Sequence, residues 1–284
     1  MKNLLTILLT ALTVVATAQI QTPQNSSAGS VSSVVGLTDL KIDYSRPKMK
    51  GRKIFGEGST FLLPYGKIWR TGANDGTKIT FSDDVKVEGI AVPKGTYLIF
   101  TWPGAAEWSV SLYKDLELGG NTDKYDAKSE QARFTVKADK LAEKVETLTL
   151  AIGDISEDNT TGKVQIAWEN TSVKFTVVVG FDSKVMKAIE TNTKVNPDNL
   201  ITSARYYFDN KKDLKQALAW VDQYFANGQN ANEFWNINFK AQLQKALGDK
   251  AGAMASAQKS LDLAKKATND FYTKQNEDLI KSLK

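Results

Sequence analysis

The chain has 284 residues and a formal net charge of +5, and it contains neither cysteine nor histidine. Cysteine nucleophiles, Ser-His-Asp triads, disulfides, iron–sulfur clusters and the usual zinc sites are therefore excluded, because each needs a thiol or an imidazole. Any catalysis would have to use carboxylate, lysine, tyrosine or hydroxyl groups. The composition predicts no cofactor and no metal site.

The N-terminal segment has the three parts of a secretory signal peptide. Lys2 supplies a positive charge, Leu4–Val15 is an apolar run, and Ala16–Ala18 forms a small-residue cleavage signal. The apolar run is shorter than the roughly 20 residues that a helix needs to cross a bilayer, and no second candidate follows. We expect cleavage between Ala18 and Gln19, which would give an exported, periplasmic or extracellular chain that does not span the membrane. An uncleaved membrane anchor is the alternative.

After the cleavage point the sequence predicts a polar linker and then a β-rich region. Residues 19–34 are mostly polar, which indicates the linker. From residue 35 to 180, apolar residues alternate with polar ones in short runs, and turn-forming Pro and Gly residues separate the runs. Two of these runs are Trp108, Val110, Leu112 and Val173, Phe175, Val177, Val179. The pattern predicts an antiparallel β-sandwich or barrel over residues 35–180.

The period of the apolar residues lengthens after residue 181, as is typical of helices. One helix is predicted from Leu214 to Phe225 and the next from Trp235 to Leu247, and two more follow over 254–264 and 272–283. The segments beginning at Lys212 and Gly248 align with an offset of 36 residues. This spacing is similar to that of tetratricopeptide repeats, whose period is about 34 residues. We expect an α+β protein whose helical hairpin region, residues 181–284, is tetratricopeptide-like or an ordinary bundle and can contact a protein partner.

The charge distribution argues against a nucleic-acid partner. Residues 19–180 carry 20 basic and 20 acidic side chains, so the net basic charge does not come from this region. One short segment within it is nevertheless strongly basic. Residues 41–53, "KIDYSRPKMKGRK", contain six Lys and Arg residues against Asp43 alone.

Four long motifs follow one another through the β-rich region. They are "YSRPKMKGRKIFG" from Tyr44, "LLPYGKIWRTGANDGTKITFS" from Leu62, "VEGIAVPKGTYLIFTWPG" from Val87 and "EWSVSLYKD" from Glu107. Their order and spacing resemble the DUF2911 family of exported bacterial proteins, whose function is unknown, over roughly residues 35–180. The resemblance implies a signal-bearing Bacteroidetes-type envelope protein. It assigns no activity, so no catalytic residue can be transferred, and the helical region lies outside it.

The motif "KIWRTGAND", residues 67–75, supplies the candidate ligand site. Arg46, Arg52 and Arg70 can converge on an anionic or polar ligand, because arginine suits planar, bidentate recognition. Trp69 would offer a face for stacking and Asn74 an amide for orientation. We expect Arg46 and Arg70 to share one anion-accepting surface, and the catalytic residues, if there are any, are unknown.

A structural interpretation of the same motif stays open. Trp69 would then be a core anchor at the end of a strand, and Arg70 would pair with Asp75 or Glu57. Gly72 would be a turn residue that needs a positive φ.

Aromatic residues give a second candidate surface. Tyr97, Phe100, Trp102 and Trp108 would stack on the apolar faces of sugar rings, although such residues are more often core. We assign Leu98, Phe100 and Trp102 to the core face of one strand.

Two functions of different class therefore remain. The first is an exported, non-catalytic binding module that recognises a small anionic or carbohydrate ligand through a basic and aromatic surface. The second is a hydrolase that cleaves an envelope glycan with two carboxylates, since a glycosidase needs only two suitably spaced acids. The candidate acids are Asp83, Asp84, Glu107, Glu117, Asp154, Glu157 and Asp158.

Overall fold

A computed structural model of the chain describes residues 22–193, 196, 198–226, 228 and 230–284. The signal segment and its cleavage point lie outside the described residues. The chain forms two compact units, one ending at Phe181 and the other beginning at Asp182. The first unit holds the strands and the second holds the α-helices, so the fold class is α+β, as predicted.

The first unit is built on a nine-stranded antiparallel sheet with the order β1-β2-β5-β8-β9-β10-β11-β6-β7. A separate pair, β3 and β4, is parallel and very short. The strands are β1 Ser27–Val35, β2 Thr38–Arg46, β3 Phe55–Gly56, β4 Leu63–Pro64, β5 Thr77–Phe81, β6 Val85–Val87, β7 Ile90–Val92, β8 Gly95–Trp102, β9 Glu107–Tyr113, β10 Glu130–Gly153 and β11 Thr161–Val179.

Strand β10 joins the two halves of the sheet. Its first part, to Lys137, pairs with β9, and its second part, from Ala138, pairs with β11. The register between β10 and β11 shifts on both sides of Val145, as at a β-bulge, which bends the strand. Side chains from both halves share one hydrophobic core.

Segment 27–34 differs from the expectation of a polar linker, because it forms most of the edge strand β1. The strand pairs with β2 along its whole length, from Ser27 opposite Arg46 to Val35 opposite Thr38. Two residues connect the strands, and the first of them, Gly36, has a φ of +58°. A glycine at this position is typical of the type II′ turn of tight hairpins.

Strand β8 is buried on both faces. Tyr97 and Ile99 belong to the main core, whereas Leu98 and Phe100 form a second, smaller cluster with Tyr113. Trp102, which was assigned to the core, is only partly buried beside that second cluster. Three short 3-10 turns between residues 116 and 129 lie over this side, and the ring of Tyr125 there contacts Phe100 at 5.0 Å. The predicted core face is therefore buried at Leu98 and Phe100 but not at Trp102, and the opposite face, with Tyr97 and Ile99, belongs to the main core.

The second unit contains six α-helices among its described residues, and the sequence pattern predicted the last four of them individually. The six helices are α1 Asp182–Asn192, α2 Asp198–Asp209, α3 Leu214–Ala226, α4 Phe234–Ala246, α5 Lys250–Lys266 and α6 Asp270–Leu283. The two aspartates that align in the 36-residue repeat both stand at helix starts. Asp213 accepts a hydrogen bond from the backbone N–H of Lys215, and Asp249 caps α5 through the N–H of Gly252.

The helices of the second unit pack as successive neighbours. Helix α2 contacts α3, α4 contacts α5, and α5 contacts α6. Small buried residues on α5, Ala253, Ala257 and Ala264, let its neighbours approach closely. Over the part of the chain that the structure describes, no helix is both long enough and apolar enough to cross a bilayer.

Candidate functional site

The loop that carries Trp69 and Arg70 is held to the sheet at its start. Trp69 and Thr101 exchange two backbone hydrogen bonds, of 2.7 and 2.9 Å. Further along, the hydroxyl of Thr77 donates to the carbonyl of Thr71 at 2.6 Å. A Cβ on Gly72 would lie only 3.2 Å from the carbonyl oxygen of Ser45. The loop therefore packs tightly against the end of β2, which leaves little room for a Cβ at Gly72.

Trp69 is an anchor of the core. Its side chain is 5% exposed, and its ring stacks on Trp168 with a centroid distance of 5.8 Å and an interplanar angle of 25°. The rings of Phe55 and Trp108 approach it edge-on. Its indole Nε1 donates to the carbonyl of Gly72 at 3.0 Å, which satisfies the one polar atom of the side chain. The structural interpretation of Trp69 therefore fits, and the residue has no open face for stacking.

Arg70 is half-buried and points back over its own loop. Its Nη1 donates to the carbonyl oxygen of Asn74 at 2.8 Å. The side chain lies against Gly120, where an added Cβ would come within 2.6 Å of Nη1. Among the described residues, neither Asp75 nor Glu57 forms a salt bridge with it, so the expected pairing with a carboxylate is absent there.

Arg52 and Asn74 are held mainly by backbone and hydroxyl groups. Arg52 donates from Nε to the carbonyl of Met49 at 3.0 Å and from Nη2 to that of Lys48 at 2.7 Å. The amide nitrogen of Asn74 donates to the hydroxyl of Ser45 at 3.0 Å. These bonds fix the direction of both side chains without neutralising the charge of Arg52.

Four of the five predicted site residues line one cavity of about 420 Å³. They are Arg52, Trp69, Arg70 and Asn74. The other lining residues are Ser26, Pro47, Leu62, Leu63, Ile68, Gly72, Ala73, Thr122 and Trp168. The lining therefore contains two arginines and no acid. Sequence reasoning did not assign Trp168 or Thr122 to the site, because each lies far along the chain from the basic motif and carries no local signal.

Arg46 is the predicted site residue that the cavity does not include. It ends β2 on the same face as the buried Tyr44, and an added Cβ on Gly29 would lie 2.7 Å from its Cδ. Its Nε is buried and has no hydrogen-bond partner in the described structure. The neighbouring Ser45 does contact the loop at Asn74, so the two segments are adjacent, as expected. Arg46 nevertheless does not share the lining of the 420 Å³ cavity with Arg70.

The acids proposed for a hydrolase lie in loops and turns, except Glu107, which begins β9. Asp154 pairs with Lys174 at 2.7 Å, and the hydrogen bond from that ammonium lowers the pKa of Asp154. Hydrogen bonds from Ser156 and Thr160 likewise lower the pKa of Asp158. A general acid needs a raised pKa, so neither environment suits that role. None of the candidate acids lines the 420 Å³ cavity.

A second cavity, of about 460 Å³ beside β1 and β2, does contain two acids, Asp43 and Asp75, together with Lys78. Asp43 forms a salt bridge of 2.9 Å with Lys41. Burial raises the pKa of Asp43, but hydrogen bonds from Lys41 and Ser30 outweigh that effect, so its pKa is lowered overall. Asp43 therefore stays ionised and does not provide the acid of a glycosidase pair.

The aromatic residues considered for sugar stacking present no open face. Tyr97, Phe100 and Trp108 are buried, and the guanidinium of Arg133 lies 3.7 Å from the ring centroid of Trp102. Over the described ranges there is also no group of three acidic side chains suited to hold a metal ion.

Comparison with known proteins identifies a family. A family profile described as "Protein of unknown function (DUF2911)" matches residues 26–177, more than half of the chain. Curated proteins and solved structures give no match. The matched range covers the nine-stranded sheet except the last two residues of β11, together with the cavity that Arg52 and Arg70 line, and it excludes the helical unit. The chain therefore belongs to the DUF2911 family, whose function is unknown.

Proposed function

We propose that the β unit is a binding module that takes a small anionic ligand, a carboxylate or a phosphate, in the cavity between Arg52 and Arg70. The observation that carries this proposal is the lining itself, which holds two guanidinium groups and no carboxylate. Two like charges that face one cavity repel each other unless a counter-charge is present. A bound anion supplies that counter-charge.

The hydrogen-bond pattern of Arg70 supports an anionic occupant. Only Nη1 of its guanidinium donates within the described structure, to the carbonyl of Asn74. Nε and Nη2 therefore remain available, and this pair of donors is the edge that binds a carboxylate or phosphate in a bidentate manner. The contact with Gly120 holds the side chain in place before any ligand binds.

The backbone of the loop is strained beside these donors. Thr71 has a φ of +56° and Asn74 a φ of +58°. Positive φ is unusual for a β-branched residue such as Thr71, and such outliers cluster at ligand sites, where the surrounding structure maintains them. Thr71 is fully buried, and its hydroxyl lies 3.1 Å from that of Thr101. The strain is therefore built into the packed part of the loop.

A thermal-shift screen tests the proposal. Inorganic phosphate, citrate and a neutral disaccharide are added to the wild type and to Arg70→Gln. A ligand at 100 times its dissociation constant stabilises the folded state by about 2.7 kcal/mol. We expect phosphate or citrate to raise the melting temperature of the wild type and Arg70→Gln to lose that rise. Lys67→Gln is the matched control, because it removes one exposed positive charge next to the cavity lining and should keep the rise.

The outcomes separate the competing functions. A shift with the disaccharide alone would contradict the anion and favour a carbohydrate ligand. Equal shifts in the wild type and in Arg70→Gln would mean that the anion binds elsewhere. The glycan hydrolase has no comparable support, because none of its candidate acids lines this cavity.

The proposal also includes the cellular compartment in which the module acts. The N-terminal segment has the pattern of a cleaved leader, so we propose that the module acts in the periplasm or outside the cell. N-terminal sequencing of the protein from the envelope fraction of its host should begin at Gln19. An intact Met1 form in the membrane pellet would contradict export by cleavage.

A further inference from the structure

The two edges of the nine-stranded sheet differ in how well they are protected against pairing with another strand. At one edge β7 has only three residues, Pro93 follows it directly, and the side chain of Gln131 donates to the carbonyl of Ala91 at 3.2 Å. At the other edge β1 has nine residues, "SAGSVSSVV", with no proline and no charge. Proteins usually protect an edge strand with charges, proline, bulges or short length, because an open edge recruits another strand. Strand β1 has none of these protections.

The turn at Gly36 determines which backbone groups of β1 point outward. In a two-residue hairpin the flanking residues, here Val35 and Thr38, form a hydrogen-bonded pair. Because hydrogen-bonded pairs alternate along an antiparallel ladder, every second residue of β1 directs its N–H and C=O away from β2. These outward residues are Ala28, Ser30, Ser32 and Val34, and all four are exposed.

Nothing in the described chain satisfies these outward groups. No backbone hydrogen bond from outside the β1–β2 pair reaches residues 27–35, and no described side chain bonds to their main chain. The side chains on the outer face are Ala28, Ser30, Ser32 and Val34, of which Val34 is 56% exposed. The edge is therefore a row of open donors and acceptors flanked by small, uncharged side chains.

We propose that β1 pairs with β1 of a second copy of this chain, antiparallel and about a two-fold axis at Val31. This register places Ser30 opposite Ser32 and Ala28 opposite Val34 of the other copy. Both members of each pair have outward N–H and C=O groups, so each pair exchanges two hydrogen bonds. The interface is isologous, as in most symmetric dimers, and the sheet continues through it.

The charge pattern favours a second copy over an unlike partner. In a strand that pairs with its own copy, a charge close to the two-fold axis lies near the same charge of the other copy, which is destabilising. Strand β1 avoids this because it has no charged residue. On the outer face of β2, Lys41 and Asp43 form a salt bridge of 2.9 Å, and Asp39, opposite Val34, is a third charge. Strand β1 itself offers an acidic or basic partner peptide no complementary charge.

Sedimentation velocity of the protein, expressed as the complete chain, tests the proposal over a wide range of concentrations. We expect the mass of two chains for the wild type at high concentration. Ser32→Pro removes an outward N–H from each copy without removing a bond to β2, so it should weaken the dimer by roughly tenfold or more. Ser32→Ala is the matched control and should still form the dimer. A wild type that stays monomeric at every concentration would overturn the proposal.

A second variant covers the case in which Ser32→Pro does not fold. Ser32→Glu keeps the N–H and faces Lys41 on β2, so the monomer should tolerate it. In the dimer it places two like charges close together across the axis, and association should be weaker than in the wild type. A dimer of unchanged affinity in Ser32→Glu would mean that another surface associates.

A cysteine placed at the axis tests the register. The chain has no cysteine, so a single Val31→Cys can form a disulfide only between two copies. Residues that face each other at the axis have Cα atoms about 4.5 Å apart, which lies within the range of about 4.4–6.8 Å that a disulfide allows. We expect Val31→Cys to cross-link on mild oxidation and Leu116→Cys, an exposed control elsewhere, not to do so. Equal cross-linking of Val31→Cys and Leu116→Cys would mean that the disulfides form by random collision, and it would overturn the proposed register.

Discussion

The burial of Trp69 leads to a prediction that separates a core residue from a ligand-stacking residue. Trp69→Ala removes a ring that contacts Phe55, Trp108 and Trp168 and leaves the carbonyl of Gly72 without its indole donor. If the residue were an exposed stacking surface, this change would leave the unliganded protein as stable as the wild type. Since it is a core anchor, we expect a large loss of stability in the absence of ligand.

The expected magnitude follows from the contacts of this one side chain. Replacing a buried tryptophan by alanine costs about 3–5 kcal/mol, because burial is lost and a cavity remains. A buried carbonyl that loses its partner costs about 1–3 kcal/mol, part of which the larger figure already contains. We therefore expect a loss of about 4 kcal/mol for Trp69→Ala. For a unit of this size each kcal/mol lowers the melting temperature by about 2–4 °C, so the expected decrease is about 8–16 °C. Trp69→Phe, which keeps a ring, should lose about 1–3 kcal/mol.

Thermal unfolding followed by near-ultraviolet circular dichroism measures this loss, since the signal comes from packed aromatic rings. Leu116→Ala is the control, because Leu116 is 38% exposed and its replacement should change stability by less than about 0.5 kcal/mol. A loss below about 1 kcal/mol for Trp69→Ala would refute the reasoning. If Trp69→Ala lost a ligand's thermal shift while its stability without ligand stayed unchanged, Trp69 would instead be a residue that stacks on the ligand.

Three further predictions concern a glycine contact and two ionisable groups. Gly120→Ala should displace the Arg70 side chain and weaken anion binding in the thermal-shift screen, and unchanged binding would contradict the contact. Burial raises the pKa of Glu130, but the hydrogen bonds from Arg133 and Tyr125 and the charge of Arg133 together outweigh burial, so the pKa of Glu130 is lowered from 4.5. Its stabilising effect is therefore fully present above about pH 4.5 and is lost as the pH falls from there through the lower pKa of the folded state, so the melting difference between wild type and Glu130→Gln should shrink over that range. Burial raises the pKa of Tyr224 from 10.0 to about 12, so its contribution should be lost as the pH rises from 10 to 12, more steeply in the wild type than in Tyr224→Phe.

Local pattern in the sequence was enough to identify the two kinds of secondary structure and their order. The alternation of Val173, Phe175, Val177 and Val179 is that of a strand with one buried face, and all four residues are buried in the structure. The helical period from Leu214 onward likewise predicted helices that the structure contains. These features depend on side-chain periodicity within one element, which a single stretch of sequence records completely.

Local pattern also misled at several positions. Segment 27–34 is polar and small enough to be taken for a linker, yet β2 pairs with it as a strand. Polar composition does not exclude an edge strand, because one of its faces meets solvent. Strand β8 has apolar residues on both faces, and only the loop over Phe100 decides that both are buried. In each case the deciding neighbour is remote in sequence.

The candidate site shows the same division between local and tertiary information. The sequence by itself placed Arg52 in one family motif and Trp69, Arg70 and Asn74 in the next, and indicated that arginines there suit an anion. Only the tertiary structure decided that these four residues line one cavity while Arg46 does not, and that Trp69 faces the core. It also showed that Gly120, 50 residues after Arg70, provides the space for that side chain. The physical reason is that residue chemistry is local, whereas the direction of a side chain and the groups that neutralise or pack against it depend on which distant strands and loops the fold brings beside it.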